Sequence, residues 1–189
     1  MDEVGVCARL AGLADATTPP TDARPLTAAA VLVPIVLAEP TGILLTKRSA
    51  QLARHAGQVS FPGGRIEPAD SSPAAAALRE AAEELAIDPG RVALLGRLPD
   101  HATGTGFRIT PVVGLLPAGL DLHPAHNEVE AVFELPLATL LDPRAPVRRR
   151  AWRDGRVRDF WVWPHPEHEI WGATAAILLR LAELLRRPA

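Results

Sequence analysis

The sequence is poor in several features that would place the chain in a specialised class of protein. Cys7 is the single cysteine among 189 residues, so no disulfide framework can form and a reducing cytosol is the natural setting. The net charge of −2 is small and gives no reason to expect a nucleic acid partner. The longest apolar run, residues 28–38, is interrupted by Pro34 and is too short to span a bilayer.

The N-terminus and the length predict a simple organisation. Acidic Asp2 and Glu3 stand where a secretory signal would carry basic residues, so we expect a cytoplasmic protein that binds no membrane. A chain of 189 residues is long enough to bury a sizeable core in one domain. We assign residues 1–27 to an N-terminal extension with a short helix and a proline-rich connector, and residues 28–189 to the main domain.

An alanine-rich segment, residues 73–86, predicts a helix because alanine, leucine and glutamate favour helix formation. Ser72 is a good N-cap, and the proline after it suits the first turn. Glu80, Glu83 and Glu84 follow at spacings that put their carboxylates on one helix face. Such a face is usually solvated. Lysines at matching spacings are absent, however, and a glycine-rich turn precedes the helix, so a site for a hard divalent cation such as magnesium is the alternative.

These residues resemble the Nudix box, the signature of hydrolases that cleave nucleoside diphosphates linked to another group. The matching positions are Gly64, Asp70, Arg79, Glu80, Glu83 and Glu84. The sequence departs from the usual pattern in three places. The first acid is Asp70 rather than glutamate, eight residues instead of seven separate it from Arg79, and the end of the box contains Ala86 where the pattern has glycine.

A second pattern lies upstream of the box. Residues 44–49, 55–59 and 61–64 resemble the additional signature of the coenzyme A pyrophosphatase subgroup. One expected arginine is displaced, because position 53 is Ala53 and Arg54 follows it. Three later segments are also similar to the family: residues 110–113, 127–129 and 171–174. The resemblance therefore covers most of the chain from about residue 28 onward.

The resemblance implies an α/β (α+β) fold, a Nudix-like α/β/α sandwich with a mixed central sheet. It also implies a metal-dependent hydrolysis of the phosphoanhydride of coenzyme A or its thioesters, which gives adenosine 3',5'-bisphosphate and 4'-phosphopantetheine or its acyl derivative. Mg2+ or Mn2+ would be the cofactor. A small nucleotide substrate is the expected partner, and a homodimer is an expected assembly, although the sequence does not fix the oligomeric state.

The resemblance also singles out site residues. The catalytic residues would be Arg79, Glu83 and Glu84, with either glutamate as the base. The metal ligands would be Glu80, Glu83, Glu84 and Glu128. The residues that bind substrate would be Arg48, Arg54, His55, Gly63 and Gly64.

Alternation and turn signals predict the remaining elements. Strands are expected over residues 29–37, 42–46, 92–98, 109–116, 128–134, 148–153 and 156–163, and helices over residues 137–141 and 171–187. Glu128 and Glu130 alternate with apolar residues and are therefore expected on one strand face. Gly104 and Gly106 do not indicate a Rossmann site, since no helix is predicted after them.

Two charged segments have open interpretations. The hairpin over residues 148–163, whose turn is predicted at Asp154-Gly155, contains six arginines. These are Arg148, Arg149, Arg150, Arg153, Arg156 and Arg158. The arginines either protect an exposed strand edge, or they bind a substrate with several phosphates or an acidic partner subunit. Residues 164–169 contain two histidines, but their spacing and the prolines favour a loop rim over a metal site.

Two other functions stay open at this point. A broader Nudix pyrophosphatase that acts on other nucleoside diphosphate conjugates would use the same metal site. A Nudix-fold ligand-binding module without catalysis is the rival from a different class. Such modules commonly lose box acids, whereas Arg79, Glu80, Glu83 and Glu84 are intact here.

Overall fold

The structure is a computed structural model that describes residues 1–18, 26–52, 55–153 and 155–187, without the side chains of Arg153 and Arg156. Ala53, Arg54 and Asp154, which carry expectations stated above, lie outside the described residues, as does most of the proline-rich connector. The expectations for these positions therefore stay predictions.

An eight-stranded sheet forms the centre of the fold. Its strands are β1 (Thr27–Leu37), β2 (Gly42–Arg48), β3 (Val59–Ser60), β4 (Gly63–Arg65), β5 (Ala93–Arg97), β6 (His101–Ala102), β7 (Phe107–Pro117) and β8 (Val129–Pro136). The main path is β3-β2-β1-β7-β5, with β4 paired to β1, β6 to β7 and β8 to β2. β1 and β7 run parallel along their whole length, whereas the other pairs are antiparallel. The sheet is therefore mixed.

A second sheet and the helices complete the described part of the chain. The second sheet contains β9 (Val147–Arg153), β10 (Arg156–Trp163) and β11 (Ile170–Trp171), in the order β11-β10-β9. The helices are α1 (Glu3–Leu10), α2 (Pro73–Leu85), α3 (Leu137–Leu141) and α4 (Gly172–Leu185), and a 3-10 turn lies at Pro89–Arg91.

The helices pack on both faces of the central sheet. α2 covers one face, where Ala77 and Ala81 are fully buried in a cluster with Leu32 of β1. α1 and α4 contribute to a separate core cluster, in which Leu10 and Leu178 are buried. Each fully buried leucine adds about 1.5–3 kcal/mol of transfer free energy. The small alanines of α2 let this helix lie close to the strands that carry the glycine turn.

Most predicted elements are confirmed, with shifted ends. β1 and β2, both predicted as strands, pair as a hairpin with Ile35 opposite Ile43, and α3 has the predicted bounds. The sequence predicts no strand between residues 98 and 109, whereas β6 pairs His101 with Ile109. The turn that contains Gly104 and Gly106 leads into β7 and not into a helix, as expected for a turn that is not a Rossmann site. Within the described ranges, no helix is long and apolar enough to cross a membrane.

Candidate metal and catalytic site

Caps at both ends of α2 fix the position of its carboxylates. The Ser72 hydroxyl oxygen accepts a hydrogen bond from the Ala75 amide at 3.1 Å, as predicted for an N-cap. At the other end, Ala86 has φ 57° and ψ 30°, and its amide donates to the Ala82 carbonyl at 2.9 Å. This left-handed conformation favours glycine. It explains the glycine of the usual box and makes Ala86 a strained substitute.

The Arg79 guanidinium connects the loop before α2 to the carboxylates of the helix. It donates two hydrogen bonds to Asp70, from Nε to Oδ1 and from Nη2 to Oδ2, each at 3.0 Å. Nη1 donates to Glu80 at 3.1 Å and to Glu83 at 3.0 Å, and Nη2 donates to the Arg65 carbonyl at 3.1 Å. The two hydrogen bonds from Arg79 to Asp70 hold the pKa of Asp70 below its ordinary value. Asp70 is shorter than the usual glutamate, and one more residue separates it from Arg79. The two side chains nevertheless form a bidentate contact.

Glu84 is the most buried of the box carboxylates, with 3% of the residue exposed. Arg48 Nη1 lies 3.7 Å from Oε1, and the Gly63 amide lies close enough to this carboxylate to favour its charged form. Within the described residues, Oε2 is buried and has no hydrogen-bond partner. Burial raises the pKa of Glu84 to about 8, against the opposing charge of Arg48. A buried oxygen without a partner is costly, and a bound cation would satisfy it.

Glu80 lies directly against the glycine turn of β4. A side chain at Gly64 would collide with the Glu80 carboxylate, and one at Gly63 would collide with the Ala30 carbonyl. Both glycines are therefore needed for the close approach of the turn to α2 and β1. Burial raises the pKa of Glu80, which the positive charge of Arg79 opposes.

The segment before β8 packs on the end of α2 and brings Glu128 to the site. The Ala125 amide donates to the Glu84 carbonyl at 2.9 Å, and the Glu128 amide donates to the Ala125 carbonyl at 2.8 Å. Glu128 is half-buried. After burial, its negative charge is one of the smaller contributions that raise the pKa values of Glu80 and Glu84. Glu128 therefore lies close enough to both acids to interact with them electrostatically.

The prediction that Glu128 and Glu130 share a strand face is wrong. β8 begins at Val129, so Glu128 precedes the strand. The pairing of β8 with β2 shifts by one residue between Lys47 and Arg48, and Glu130 forms an ion pair with Lys47 at 2.6 Å. Sequence analysis missed this ion pair, because apolar alternation carries no signal for a bulge.

The carboxylates fit a hard divalent cation. Carboxylate oxygens are the ligands that Mg2+ and Mn2+ prefer. Four glutamates bring such oxygens to the C-terminal half of α2: Glu80, Glu83 and Glu84 from the helix itself, and Glu128 from the segment before β8. The buried Oε2 of Glu84 is one donor with no other partner in the described part. No three His, Cys, Asp or Glu side chains among the described residues are already arranged as a metal cluster. Arg79 holds an oxygen of Glu80 and an oxygen of Glu83.

Comparison with known proteins identifies the family. A family model described as the NUDIX domain matches residues 26–169. The chain belongs to the Nudix hydrolase family. Relatives described as the uncharacterized Nudix hydrolase NudL, from Escherichia fergusonii and Cronobacter sakazakii, are 46% and 47% identical to it over 154 residues. Each alignment covers 82% of this chain and 80% of the relative. Nudix hydrolases generally use divalent metal ions such as Mg2+ or Mn2+.

Solved Nudix structures share the fold of this chain. A MutT/nudix family protein from Enterococcus faecalis has a TM-score of 0.55 and 13% identity, over 87% of this chain and 63% of that chain. An Ap4A hydrolase from C. elegans has a TM-score of 0.50 and 20% identity, over 58% of this chain and 80% of that chain. At these identities the likeness concerns the fold alone. The predicted α+β fold with a mixed central sheet is confirmed.

The Nudix site includes some of the residues expected to bind substrate. Arg48 lies beside Glu84, and Gly63 and Gly64 form the turn that faces the box acids. His55 is exposed, has φ 57°, and its Nδ1 lies 2.9 Å from the side-chain oxygen of Gln58. Contact of these residues with substrate stays a prediction, as does any role of Arg54.

Several arginines of the β9–β10 hairpin are engaged in ion pairs. Arg148 and Arg150 both pair with Asp159, at 3.1 Å and 2.8 Å. Arg149 pairs with Glu169 at 2.5 Å. For these three side chains, the pairs favour a charge-protected ribbon over a free phosphate-binding surface.

The histidines of residues 164–169 form an aromatic cluster. The rings of His165 and His168 stack with centroids 4.8 Å apart and planes within 7°. Both rings pack on Phe133 of β8, at 4.5 Å and 4.2 Å. His165 Nδ1 accepts hydrogen bonds from the amides of Glu167 and His168 at 3.2 Å each, so this nitrogen is occupied. The segment between β10 and β11 is a loop, as predicted, and these contacts favour the rim interpretation.

Proposed function

We propose that this Nudix hydrolase cleaves the phosphoanhydride of coenzyme A or of its thioesters. The observation that carries the proposal is the contact between two sequence patterns. Arg48 belongs to the pattern that resembles the coenzyme A subgroup, and its guanidinium lies 3.7 Å from Glu84 of the Nudix box. A cation next to the acids that would hold a metal is well placed to meet the anionic diphosphate of such a substrate.

In the proposed reaction, a water molecule attacks one phosphorus atom of the diphosphate. The bond from that phosphorus to the bridging oxygen breaks, and the products are adenosine 3',5'-bisphosphate and 4'-phosphopantetheine or its acyl derivative. Bound Mg2+ or Mn2+ would neutralise the diphosphate and lower the pKa of the attacking water. Glu80, Glu83, Glu84 and Glu128 would hold the ion.

The chain's own residues divide the remaining work. Arg79 keeps Glu80 and Glu83 in place and is itself anchored by Asp70. Glu83 is better placed than Glu84 to accept the proton of the water, because 59% of its side chain is exposed whereas Glu84 is buried. Arg48 and the amides of the glycine turn would bind the diphosphate oxygens. The cytoplasm is the proposed location, since it supplies this substrate class and suits the free thiol of Cys7.

A substrate panel tests the proposal. Coenzyme A, acetyl-coenzyme A, ADP-ribose, NADH and diadenosine tetraphosphate are incubated with the protein and Mg2+ or Mn2+, and the products are separated by chromatography. We expect adenosine 3',5'-bisphosphate from the first two at the highest kcat/KM. Preference for another conjugate would keep the metal-dependent reaction and reject the coenzyme A subgroup. Binding without turnover on the whole panel would favour the ligand-binding module.

A further inference from the structure

Glu130 lies at the bulge of β8, and this acid has no role in the proposed reaction. Its Oε1 accepts a hydrogen bond from the Lys47 ammonium at 2.6 Å. Hydrogen bonding to Lys47 lowers the pKa of Glu130, and the nearby Ala50 amide lowers it further. Lys47 lies near the end of β2, and Ala50 lies in the loop that follows. One side chain therefore joins the strand end to the first residues of the loop.

Backbone hydrogen bonds attach the same region to the candidate site. The Ser49 amide donates to the Glu128 carbonyl at 2.8 Å. The Arg48 amide donates to the Gln58 carbonyl at 2.9 Å, and the Gly57 amide donates to the Arg48 carbonyl at 3.1 Å. Both ends of the loop are thus fastened at or beside Arg48. A displacement of the end of β2 would therefore move Arg48 together with Ser49, whose amide is bonded to Glu128.

The magnitudes point to a local role for Glu130. The side chains of Lys47 and Glu130 are 30% and 42% exposed, and ion pairs of this kind contribute little to the stability of the whole fold. Placement of site groups is far more sensitive, because a shift of about 1 Å can cost roughly 100-fold in rate. Loss of Glu130 is therefore expected to disturb the site without unfolding the protein.

We propose that Glu130 is a positioning residue, which holds the end of β2 and the start of the following loop so that Arg48 and Glu128 face the box helix. The inference rests on the proposed function for the roles of Arg48 and Glu128. Glu130 acts through its contacts with Lys47 and Ala50, and it transfers no proton in the reaction.

The test compares Glu130→Ala and Glu130→Gln with Glu134→Gln, a matched change on the same strand. Hydrogen exchange at the Ala50 amide reports directly on how firmly Glu130 holds the start of the loop. We expect Glu130→Ala to speed this exchange by about tenfold or more, because the carboxylate that lies beside this amide and holds the strand end through Lys47 is lost. Glu130→Gln keeps an oxygen acceptor and should have a smaller effect. The exchange in Glu134→Gln should match that in wild type, and all three variants should unfold at nearly the wild-type denaturant midpoint.

Two further readouts test the positioning role. The KM for the preferred diphosphate substrate should rise about tenfold or more in Glu130→Ala, with a smaller change in kcat. The Mn2+ affinity, measured by electron paramagnetic resonance without substrate, should fall because Glu128 is misplaced. Unchanged exchange at Ala50 would overturn the inference, and so would faster exchange with unchanged KM and Mn2+ affinity. If the wild type cleaves no diphosphate, the proposed function fails. Hydrogen exchange at Ala50 and the Mn2+ affinity then still test whether Glu130 is a positioning residue.

Discussion

The buried carboxyl of Glu84 makes the stability of the metal-free protein depend on pH. Its pKa is raised from the ordinary 4.5 to about 8, mainly by burial. The folded protein therefore binds this proton more tightly than the unfolded chain does. The stabilisation is complete below about pH 4.5 and is lost as the pH rises through about 8. At about 1.4 kcal/mol for each pH unit, the whole change amounts to roughly 5 kcal/mol at most.

The matched variant for this prediction is Glu84→Gln, which keeps the size of the side chain and removes the titration. Urea unfolding of both proteins is measured with a chelator present, at intervals from about pH 5 to about pH 9. Subtracting the two free energies of unfolding removes the contribution of other groups, such as His101, whose pKa is lowered by burial. We expect the wild type to lose stability relative to Glu84→Gln by up to about 1.4 kcal/mol per pH unit.

A divalent cation should reverse this trend. The cation competes with the proton for the Glu84 carboxylate, so its apparent affinity should rise by up to about tenfold per pH unit below about pH 8. With saturating Mg2+, the wild type should therefore become more stable than the variant at alkaline pH. A difference between wild type and Glu84→Gln that stays flat with pH in the chelator would refute the reasoning about Glu84.

Three further changes test the structure around the box helix. Arg79→Lys cannot make the two-pronged bond to Asp70, so kcat/KM should fall by about 10–100-fold, and Arg187→Lys in the same kinetic assay serves as the control. Ala86→Gly relieves the left-handed strain and should raise the free energy of unfolding by roughly 0.5–1 kcal/mol in urea titrations, whereas a loss would contradict the strain. Thr174→Val removes the buried hydroxyl that donates to the Val59 carbonyl at 2.9 Å. It should cost about 1–2 kcal/mol in the same titrations, and a neutral result would contradict a stabilising role for this bond.

The box helix was the most predictable part of the site, because local rules determine it. Ser72 and Pro73 predict its start, and glutamate spacing predicts the shared face. The spacing also predicts the contact of Arg79 with Glu83, which is present at 3.0 Å. Asp70 lies in the loop before the helix and pairs with Arg79, a contact that the spacing does not predict.

Other features depend on tertiary packing and could not be predicted from spacing. Glu83 and Glu84 are neighbours on the helix, yet one side chain is 59% exposed and the other residue 3% exposed. The glycine turn and Arg48 lie against Glu84 and not against Glu83, and the helix spacing does not reveal this difference. The bulge at Glu130 has the same character, because its cause lies in the pairing of β8 with β2 and not in the order of apolar residues.

The central claim is that the box acids hold a cation that drives the hydrolysis of coenzyme A. The most direct test measures the formation of adenosine 3',5'-bisphosphate from coenzyme A, with Mg2+ and with a chelator, for wild type, Glu83→Gln and Glu183→Gln. Glu183 is an exposed glutamate of α4 and provides the control. We predict turnover that requires the metal, survives Glu183→Gln and falls by about 100-fold or more in Glu83→Gln. Equal turnover by Glu83→Gln and wild type, or turnover undiminished by the chelator, would contradict the account.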